Sequence, residues 1–417
     1  MDILKEAKAV QQYVVQLRRH IHINPEVSDK ENNTIAFISE ELTKLSIEHT
    51  VVEQGGIIGY IDGATEGKTI LLRADVDALP MQENSKNAKG SKVVVSSVDG
   101  AAHTCGHDAH TAMLLGAAKI ISENKDKLSG RALLFFERGE EGTGNIYYLL
   151  KYIQENNIKI DGCWGIHVHA NVGSGKMVIP TGPTLAGAMG FNITIQGKGG
   201  HGARPDLSTN PIDCYVAIHM AVNQLRIRTF NAFHPLSYSI CLVDGGTKGN
   251  IIPDKVRFEG SCRFYDKQDA IRFREELRKI VDNTCKLYHC EPFYEQLNIG
   301  ILPVINNADC ADIARESLTK ILGLENLVEF EPKMGSESFS YLSTYYPSVF
   351  AQLGVRNEEK GMVADTHNPQ FDPDEDSFVN GVASTVAYTI AFLKDTRHIS
   401  FDPFLGSVDE FKAQIDE

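Results

Sequence analysis

The sequence predicts an α/β protein with two parts: a larger domain with a mixed central sheet flanked by helices, and an inserted, ferredoxin-like α+β domain. Two observations predict this fold. Unbroken apolar runs at 69–73, 132–136 and 162–168 are separated by helical patterns, as expected for strands of a sheet covered on both faces. From residue 185 to about 300, the patterns follow the order strand, helix, strand, strand, helix, strand, which is the ferredoxin-like order.

The elements of the larger domain follow from the spacing of its apolar residues. Residues 1–50 are predicted to be helical, because side chains such as Val10, Val14 and Leu17 recur at three- and four-residue steps. Small and apolar residues at 111–121 predict a buried helix. Each of the three apolar strands ends in polar residues, and ligands of such sheets bind beyond the carboxyl ends of the strands. We therefore expect a functional site at that edge.

The inserted domain is predicted from a change of pattern after residue 184. Residues 191–196 alternate between apolar and polar side chains, as a half-exposed strand does. The further predicted elements are helices at 210–227 and 268–288 and strands at 237–243, 255–264 and 293–299. The predicted domains are therefore 1–184 together with 301–417, which form one discontinuous domain, and 185–300.

Composition and charge exclude several classes of function. The 417 residues carry a formal net charge of −14, and an acidic surface repels the phosphates of nucleic acids. The apolar runs, such as 132–136, are far shorter than the roughly 20 residues that span a bilayer. Because the N-terminus has acidic residues where a secretory signal would be basic, we expect a cytoplasmic protein. Its eight cysteines are then expected to be free thiols.

The segment 102–110 contains the densest group of chemically active residues. Cys105 and His107 flank a glycine, and thiolate with imidazole is a ligand pair that zinc and its neighbours prefer. Two other interpretations remain open here: a helix N-terminus with incidental histidines, and a nucleophilic cysteine–histidine pair. Further donors of the metal-binding type occur near other predicted strand ends and towards the end of the chain, which favours the metal site. These donors are Glu140, Glu141, His167 and His367.

Nine short motifs in a fixed order give the chain a family resemblance. The chain resembles the dinuclear-metal amidohydrolases and exopeptidases that include hippurate hydrolase, auxin-conjugate hydrolases and N-acyl-amino-acid hydrolases. The resemblance extends over nearly the whole chain. The motifs are 18–26 (RRHIHINPE), 72–80 (LRADVDALP), 105–110 (CGHDAH), 140–142 (EEG), 165–167 (GIH), 199–203 (GGHGA), 250–254 (NIIPD), 335–337 (GSE) and 367–369 (HNP).

The resemblance implies a role for each matching residue. It implies a catalytic domain with two divalent metal ions, zinc or manganese with cobalt or nickel as alternatives, and a lid that forms a homodimer. Glu140 would be the general base, and Asp77 would orient a ligand. His201 of the lid would stabilise the oxyanion, while Asn250 and Arg263 would bind the substrate's carboxylate. The implied metal ligands are Cys105, which bridges the two ions, with His107, Glu141, His167 and His367.

The activity implied by the resemblance is hydrolysis of a small, anionic N-acyl amino acid to a carboxylic acid and a free amino acid. A dipeptidase using the same site is one alternative, and a non-catalytic metal-binding protein is another. Three features depart from the family pattern. Glu137-Arg138-Gly139 replaces the usual Gln-Pro-Ala, Ser338 replaces an aspartate, and the connection from Asp75 to Cys105 is longer and more polar at 84–97. These departures bear on acyl-group specificity and on catalytic efficiency.

Overall fold

The computed structural model describes residues 1–142 and 144–416. Its helices are α1 (Ile3–Ile23), α2 (Asn32–Lys44), α3 (His107–Glu123), α4 (Ile146–Glu155), α5 (Pro211–Arg228), α6 (Lys267–Leu287), α7 (Ala308–Leu322), α8 (Ser340–Tyr345), α9 (Phe378–Lys394) and α10 (Val408–Asp416). Its strands are β1 (Glu48–Val52), β2 (Gly56–Asp62), β3 (Thr65–Asp75), β4 (Ser129–Glu137), β5 (Gly162–Gly173), β6 (Met177–Val178), β7 (Gly182–Leu185), β8 (Gly187–Gln196), β9 (Gly200–His201), β10 (Leu236–Asp244), β11 (Ile251–Ile252), β12 (Lys255–Phe264), β13 (Glu291–Ile301), β14 (Val304–Asn306) and β15 (Ser348–Arg356). No helix in these described ranges is both long enough and apolar enough to cross a bilayer.

The first compact unit comprises Met1–Thr184, Ile305–Glu331 and Tyr341–Val408. Its sheet has the strand order β1-β2-β4-β3-β5-β15-β6. The inner strands β4, β3, β5 and β15 are parallel, while β1, β2 and β6 pair antiparallel with their neighbours. The mixed sheet flanked by helices that the apolar runs predict is therefore present, and its buried strands are β3, β4, β5 and β15.

One prediction for this unit is wrong. Residues 1–50 do not form continuous helix, because the chain leaves the helix between Ile23 and Asn32 and enters β1 at Glu48. Asn24 caps α1 and precedes Pro25, and the proline ring disfavours helical backbone in the residue before it. The apolar periodicity continues on both sides of this break, so periodicity alone did not reveal it.

The second compact unit comprises Leu185–Val304 with two short later pieces, Pro332–Ser340 and the residues from Asp409 onward. Its sheet has the strand order β10-β12-β8-β13, and all three pairings are antiparallel. Along the chain these strands and helices follow the order β8, α5, β10, β12, α6, β13. This is the predicted ferredoxin-like order.

Close packing of helices in the first unit gives a prediction about stability. Gly116 of α3 faces α1 and α9: a β-carbon there would overlap Val14 Cγ2 and lie 3.3 Å from Val382 Cγ2. We expect Gly116→Val to lower the free energy of unfolding by about 1–3 kcal/mol, because the added carbons overpack a buried contact. Urea unfolding measures the effect. Gly90→Val is the control, since no atom lies within 4 Å of a β-carbon built there, and an equal loss in that variant would contradict the packing explanation.

Candidate functional site

Three neighbouring parallel strands bring predicted site residues to one edge of the first unit's sheet. Asp77 lies two residues beyond β3, and Glu140 and Glu141 follow the end of β4. His167 lies within β5, which pairs with β3. Because parallel strands end at the same edge, the three segments converge.

Cys105 and His107 reach this edge from the start of α3. Gly106, between them, has φ +92°, a left-handed conformation that glycine adopts without strain. A β-carbon at this position would also collide with Val168 Cγ2. A glycine is therefore required between the two donors, and the turn it makes directs both side chains to the same place.

The five predicted metal ligands form one cluster. Cys105 Sγ lies 3.5 Å from His167 Nε2 and 3.2 Å from His367 Nε2. Glu141 Oε1 lies 3.0 Å from His367 Nε2 and 3.8 Å from His107 Nε2. Two groups of three donors can each hold a metal ion, Cys105 with His107 and His167, and Cys105 with Glu141 and His367. The thiol of Cys105 is common to both groups.

Hydrogen bonds fix which nitrogen of two histidines faces the cluster. The Nδ1 atom of His107 lies 3.0 Å from Asp77 Oδ1, and the other oxygen of Asp77 accepts from Ser28 Oγ and from the Glu141 backbone N–H. His167 donates from Nδ1 to the Val168 carbonyl at 2.7 Å. In both rings the Nε2 atom is left to face the other donors. This is the arrangement by which outer partners orient metal-binding histidines.

Burial and neighbouring charge set the protonation of the site. Burial raises the pKa of the Cys105 thiol well above its usual value. Burial opposes a charge on His107, but the carboxylate of Asp75, the Cys105 thiol and the hydrogen bond with Asp77 together outweigh this effect and raise the pKa of the ring. Burial likewise opposes ionisation of Asp77, yet the hydrogen bond with His107, the charge of that ring and the bonds from Ser28 and the Glu141 N–H together lower the pKa of the carboxyl. The site therefore holds ionised carboxylates next to a thiol that stays protonated until a cation replaces its proton.

The donor set fits divalent metal ions. His107 Nε2 and Glu141 Oε1 are buried, and neither makes a well-aligned hydrogen bond among the described residues, although Glu141 Oε1 lies 3.0 Å from His367 Nε2. Buried polar atoms are normally paired, so such orphaned atoms need an explanation. Thiolate, imidazole and carboxylate are the ligands of zinc, and imidazole with carboxylate also suits manganese. A divalent cation bound between these two atoms would give each of them a partner.

Glu140 lies beside this cluster. Its carboxylate is within 4.8 Å of both the His107 and the Glu141 donor atoms. The residue is partly exposed, unlike His107, so water has access to it. A carboxylate in this position can exchange a proton with a water molecule at the cluster.

Two further residues support the cluster and were not predicted. His110 Nδ1 lies 2.6 Å from Asp75 Oδ1, and His110 Nε2 accepts from the Val168 N–H at 2.9 Å. Arg73 donates to the other oxygen of Asp75 at 2.7 Å. Both ring nitrogens of His110 are thus occupied by protein atoms. The only available signal was its position in the 105–110 motif, one helical turn after His107.

The segment Glu137-Arg138-Gly139, which departs from the family pattern, forms ion pairs and a hydrogen bond with other residues of the first unit. The buried carboxylate of Glu137 pairs with Arg73 at 2.8 Å. Glu31 pairs with Arg138 at 3.0 Å and accepts from the Gly139 backbone N–H at 2.8 Å. Glu31 thereby holds the turn that leads into Glu140 and Glu141, although no sequence pattern singled it out. Ser338, the second departure, donates to Glu337 within the second unit.

The second unit brings together only part of the predicted substrate-binding set. His201 in β9 pairs with Ile251 in β11, and the Gly202 N–H donates to the Asn250 carbonyl at 2.9 Å. His201 and Asn250 line one groove together with Lys255. Arg263 lies eight residues beyond Lys255 on β12, or about 27 Å along an extended strand. There it donates to Ser336 Oγ at 3.0 Å.

Comparisons with a family model, with known sequences and with solved structures agree on one family of hydrolases. The model of the family "Peptidase family M20/M25/M40" matches residues 71–390. The chain is 35% identical over 406 residues to Thermostable carboxypeptidase 2 of Saccharolobus solfataricus, covering 94% of this chain and 99% of that protein. It is 33% identical over 408 residues to IAA-amino acid hydrolase ILR1-like 2 of Arabidopsis thaliana, covering 97% and 89%. Bacillus subtilis YXEP, described as a dinuclear metal binding peptidase, has a solved structure similar to this one, with a TM-score of 0.78 and 26% identity over 93% of this chain and 99% of that chain.

Proposed function

Because the chain belongs to peptidase family M20/M25/M40, we propose that it hydrolyses N-acyl amino acids with two divalent metal ions. The family resemblance inferred from the motifs is confirmed, and the chain is a metal-dependent hydrolase of this family. The observation that carries the proposal is the cluster of five donors around Cys105, with its orphaned buried atoms and with Glu140 beside it. The substrate class is supported by the related protein named as an IAA-amino acid hydrolase.

We assign the metal ions to the five clustered donors, with zinc or manganese as the ions. The proposed ligands are Cys105, His107, Glu141, His167 and His367, with Asp77 holding His107 in place. When bound, two such ions acidify a water molecule and polarise the scissile carbonyl.

The chain's own residues supply the proton transfers. Glu140 takes a proton from the attacking water and delivers it to the nitrogen of the departing amino acid, which would otherwise be a poor leaving group. His201 accepts the Ala203 backbone N–H at Nδ1, so its neutral ring carries the proton on Nε2. That N–H is the donor we propose for the negative charge developing on the carbonyl oxygen.

Substrate binding is assigned to the second unit, as a lid. The guanidinium of Arg263 matches a carboxylate in shape and charge, so we propose that it binds the α-carboxylate of acyl–NH–CHR–COO⁻. Asn250 is proposed to act with His201, because both line one groove. In domain terms, we propose residues 185–300 as the lid and residues 1–184 with 301–417 as the catalytic domain.

The proposed function is tested by removing and restoring the metal. Hydrolysis of hippurate, N-acetyl amino acids and dipeptides is measured in parallel, before and after chelation and after adding zinc or manganese separately. We expect chelation to abolish hydrolysis of the N-acyl amino acids and one of the metals to restore it. Hydrolysis that persists after chelation contradicts the metal mechanism and favours a Cys105–His nucleophilic pair.

A peptidase acting at the same site is the second candidate. It is supported by the 35% identity to a protein named as a carboxypeptidase. The same assay separates the two, because a dipeptidase would hydrolyse dipeptides faster than hippurate. Activity on no substrate with any metal would favour a non-catalytic metal-binding protein.

We further propose a homodimer that forms through the lid, in the cytoplasm. His201 and Asn250 line a groove near one end of β12, whereas Arg263 lies near the other end. A small substrate cannot contact both ends of one lid, which supports the proposal that a second copy supplies one of the two sets. A row of exposed apolar side chains on α5 offers a contact surface: Val216 is 49% exposed and Met220 is 66% exposed. The cytoplasm is supported by the eight free cysteines, Cys105 among them, because free thiols are usual in a reducing compartment.

Disrupting this apolar row tests the dimer. We expect Met220→Glu to convert a dimer into a monomer, because it places a charge in a contact that excludes water, and to lower the activity at the same time. Light scattering after size-exclusion chromatography measures the mass. Leu324→Glu is the matched control, since Leu324 is also exposed, at 70%, but belongs to the first unit. A wild-type chain that is monomeric and fully active would contradict the proposal.

A further inference from the structure

The longer, polar connection between Asp75 and Cys105 packs against the loop that carries His367. We name residues 82–98 the clamp segment and residues 365–372 the His367 loop. The Asn84 backbone N–H donates to the Pro369 carbonyl at 2.9 Å, and Asn87 Nδ2 donates to Asp372 at 2.8 Å. The clamp segment forms no helix or strand within the described residues. Long irregular segments of this kind are usually functional when they are ordered by their contacts.

Lys92 is the centre of this contact. Its side chain is 1% exposed, although lysine is almost never buried unless it is paired. The ammonium donates to Glu83 Oε1 at 2.8 Å, to the Pro369 carbonyl at 3.0 Å and to the Phe371 carbonyl at 2.7 Å. An ammonium group has three N–H donors, and each has one acceptor here. Lys92 therefore holds two carbonyls of the His367 loop at fixed points.

Glu83, the third partner of the Lys92 ammonium, connects Lys92 to the start of α3. Glu83 lies 3.0 Å from His22 Nε2 and accepts from the Ser96 backbone N–H at 2.6 Å. His22 Nδ1 lies 2.7 Å from Asp108, the residue after His107. A continuous path of buried charged and polar groups thus joins the His367 loop to the segment that carries the other donors. Both sides of the donor cluster are fixed by the same network.

His367 needs such support. Its backbone has φ +61°, a left-handed conformation that is uncommon outside glycine and that persists where the surroundings impose it. Its N–H donates to the Thr104 carbonyl at 2.8 Å, which anchors the loop on one side. The carbonyls two and four residues later are those that Lys92 holds. The imidazole itself is about half exposed, so packing around the ring does not fix it.

We propose that Lys92 is a positioning residue that holds the His367 imidazole in the metal site. The inference rests on the proposed two-metal function, and it assigns the clamp segment a role in metal binding. Removing the ammonium would free the Phe371 carbonyl, leave the Pro369 carbonyl with the Asn84 N–H alone, and let the loop relax from its left-handed conformation. His367 would then leave the cluster, while the other four donors stay in place.

Cobalt binding to the full-length chain tests this role. We expect Lys92→Met to weaken the binding of one of two Co²⁺ ions about 10–100-fold, the usual effect of losing an outer partner of a metal ligand. Equilibrium dialysis gives the stoichiometry and affinity, and the visible absorption spectrum of bound Co²⁺ reports its ligands. The spectrum should change in the same way as in His367→Ala. With hippurate, kcat should fall while KM changes little.

Further variants separate positioning from folding. Glu83→Gln combined with Lys92→Met leaves no buried unpaired carboxylate, so it should fold, as checked by circular dichroism, yet bind cobalt as weakly as Lys92→Met. Lys92→Arg keeps a cation with several donors and should recover most of the affinity. Lys89→Met is the matched control, because Lys89 lies in the same segment but is exposed.

The possible outcomes are distinct. Two results would overturn the role of Lys92 and leave the proposed function untouched. One is wild-type affinity for both ions in the folded double variant, and the other is an equal loss of affinity in Lys89→Met. A wild-type chain that binds fewer than two cobalt ions would contradict the proposed function, and the role of Lys92 with it.

Discussion

Glu140→Gln is expected to lower kcat about 10²–10⁴-fold, the usual contribution of a general acid–base residue, while both metal ions stay bound. The amide has nearly the shape of the carboxylate but cannot accept a proton from water. Glu140 is not among the five donors that we assign to the ions, although its carboxylate lies within 4.8 Å of the His107 and Glu141 donor atoms. Loss of activity without loss of metal is therefore the signature of the proposed role.

The measurement pairs steady-state kinetics on hippurate with metal analysis of the same sample. Glu155→Gln serves as the control, since Glu155 is exposed at the end of α4 and should keep wild-type kinetics. Full activity of Glu140→Gln with two ions bound would falsify the assignment of the general base. A variant that loses its ions would instead make Glu140 a ligand.

Cys105→Ala is expected to remove both metal ions and with them all measurable hydrolysis. The Cys105 thiol is the donor common to both metal-binding groups, with His167 Nε2 at 3.5 Å and His367 Nε2 at 3.2 Å. Losing it therefore affects two ions together. The loss of affinity should exceed the about 10–100-fold effect of removing an outer partner.

Cys105→Asp distinguishes a metal ligand from a nucleophile. A carboxylate can bind zinc, so this variant should keep metal and some activity. A cysteine nucleophile has no such replacement, and burial already raises the pKa of the Cys105 thiol, which disfavours a free thiolate. Cys310→Ala, another buried cysteine of the first unit, is the control for loss of a thiol. An alanine variant that retains two ions would show that Cys105 does not bridge them.

The sequence was most informative where chemically active residues come directly after a strand. The apolar runs of β3, β4 and β5 predict buried parallel strands, and such strands end at one edge of a sheet. Asp77, Glu140 and Glu141 follow the ends of β3 and β4, so their meeting could be predicted without coordinates. The alternating pattern of β8 and the order of the elements after it predicted the second unit in the same way.

Histidines in one short segment show what the sequence left open. His103, His107 and His110 are all buried, yet only His107 has its Nε2 among the five clustered donors. Both ring nitrogens of His110 are hydrogen-bonded, one to Asp75 and the other to the Val168 N–H. Burial lowers the pKa of His103 to about 4, so that ring stays neutral. Which ring nitrogen is available depends on partners from other strands. Spacing along the chain does not contain that information.

Polarity was also a poor guide to exposure. The segment 84–97 has the composition of a solvated loop, yet Lys92 within it is buried and bonded to carbonyls 277 and 279 residues away. Likewise, Asn250 and Arg263 are close in sequence but lie towards opposite ends of β12. Only the tertiary structure could show that Lys92 is buried and that Asn250 lines a groove with His201.

By itself, then, the sequence determined the fold class, the order of the buried strands and of the second unit's elements, and the types of donor at the sheet edge. Short-range periodicity and the residues at strand ends encode these features, and each is local in the chain. The tertiary structure decided which donors meet, which histidine nitrogens face the cluster and what holds His367 in its left-handed conformation. These depend on hydrogen bonds and ion pairs between segments far apart in sequence, whose partners are chosen by packing rather than by any nearby pattern.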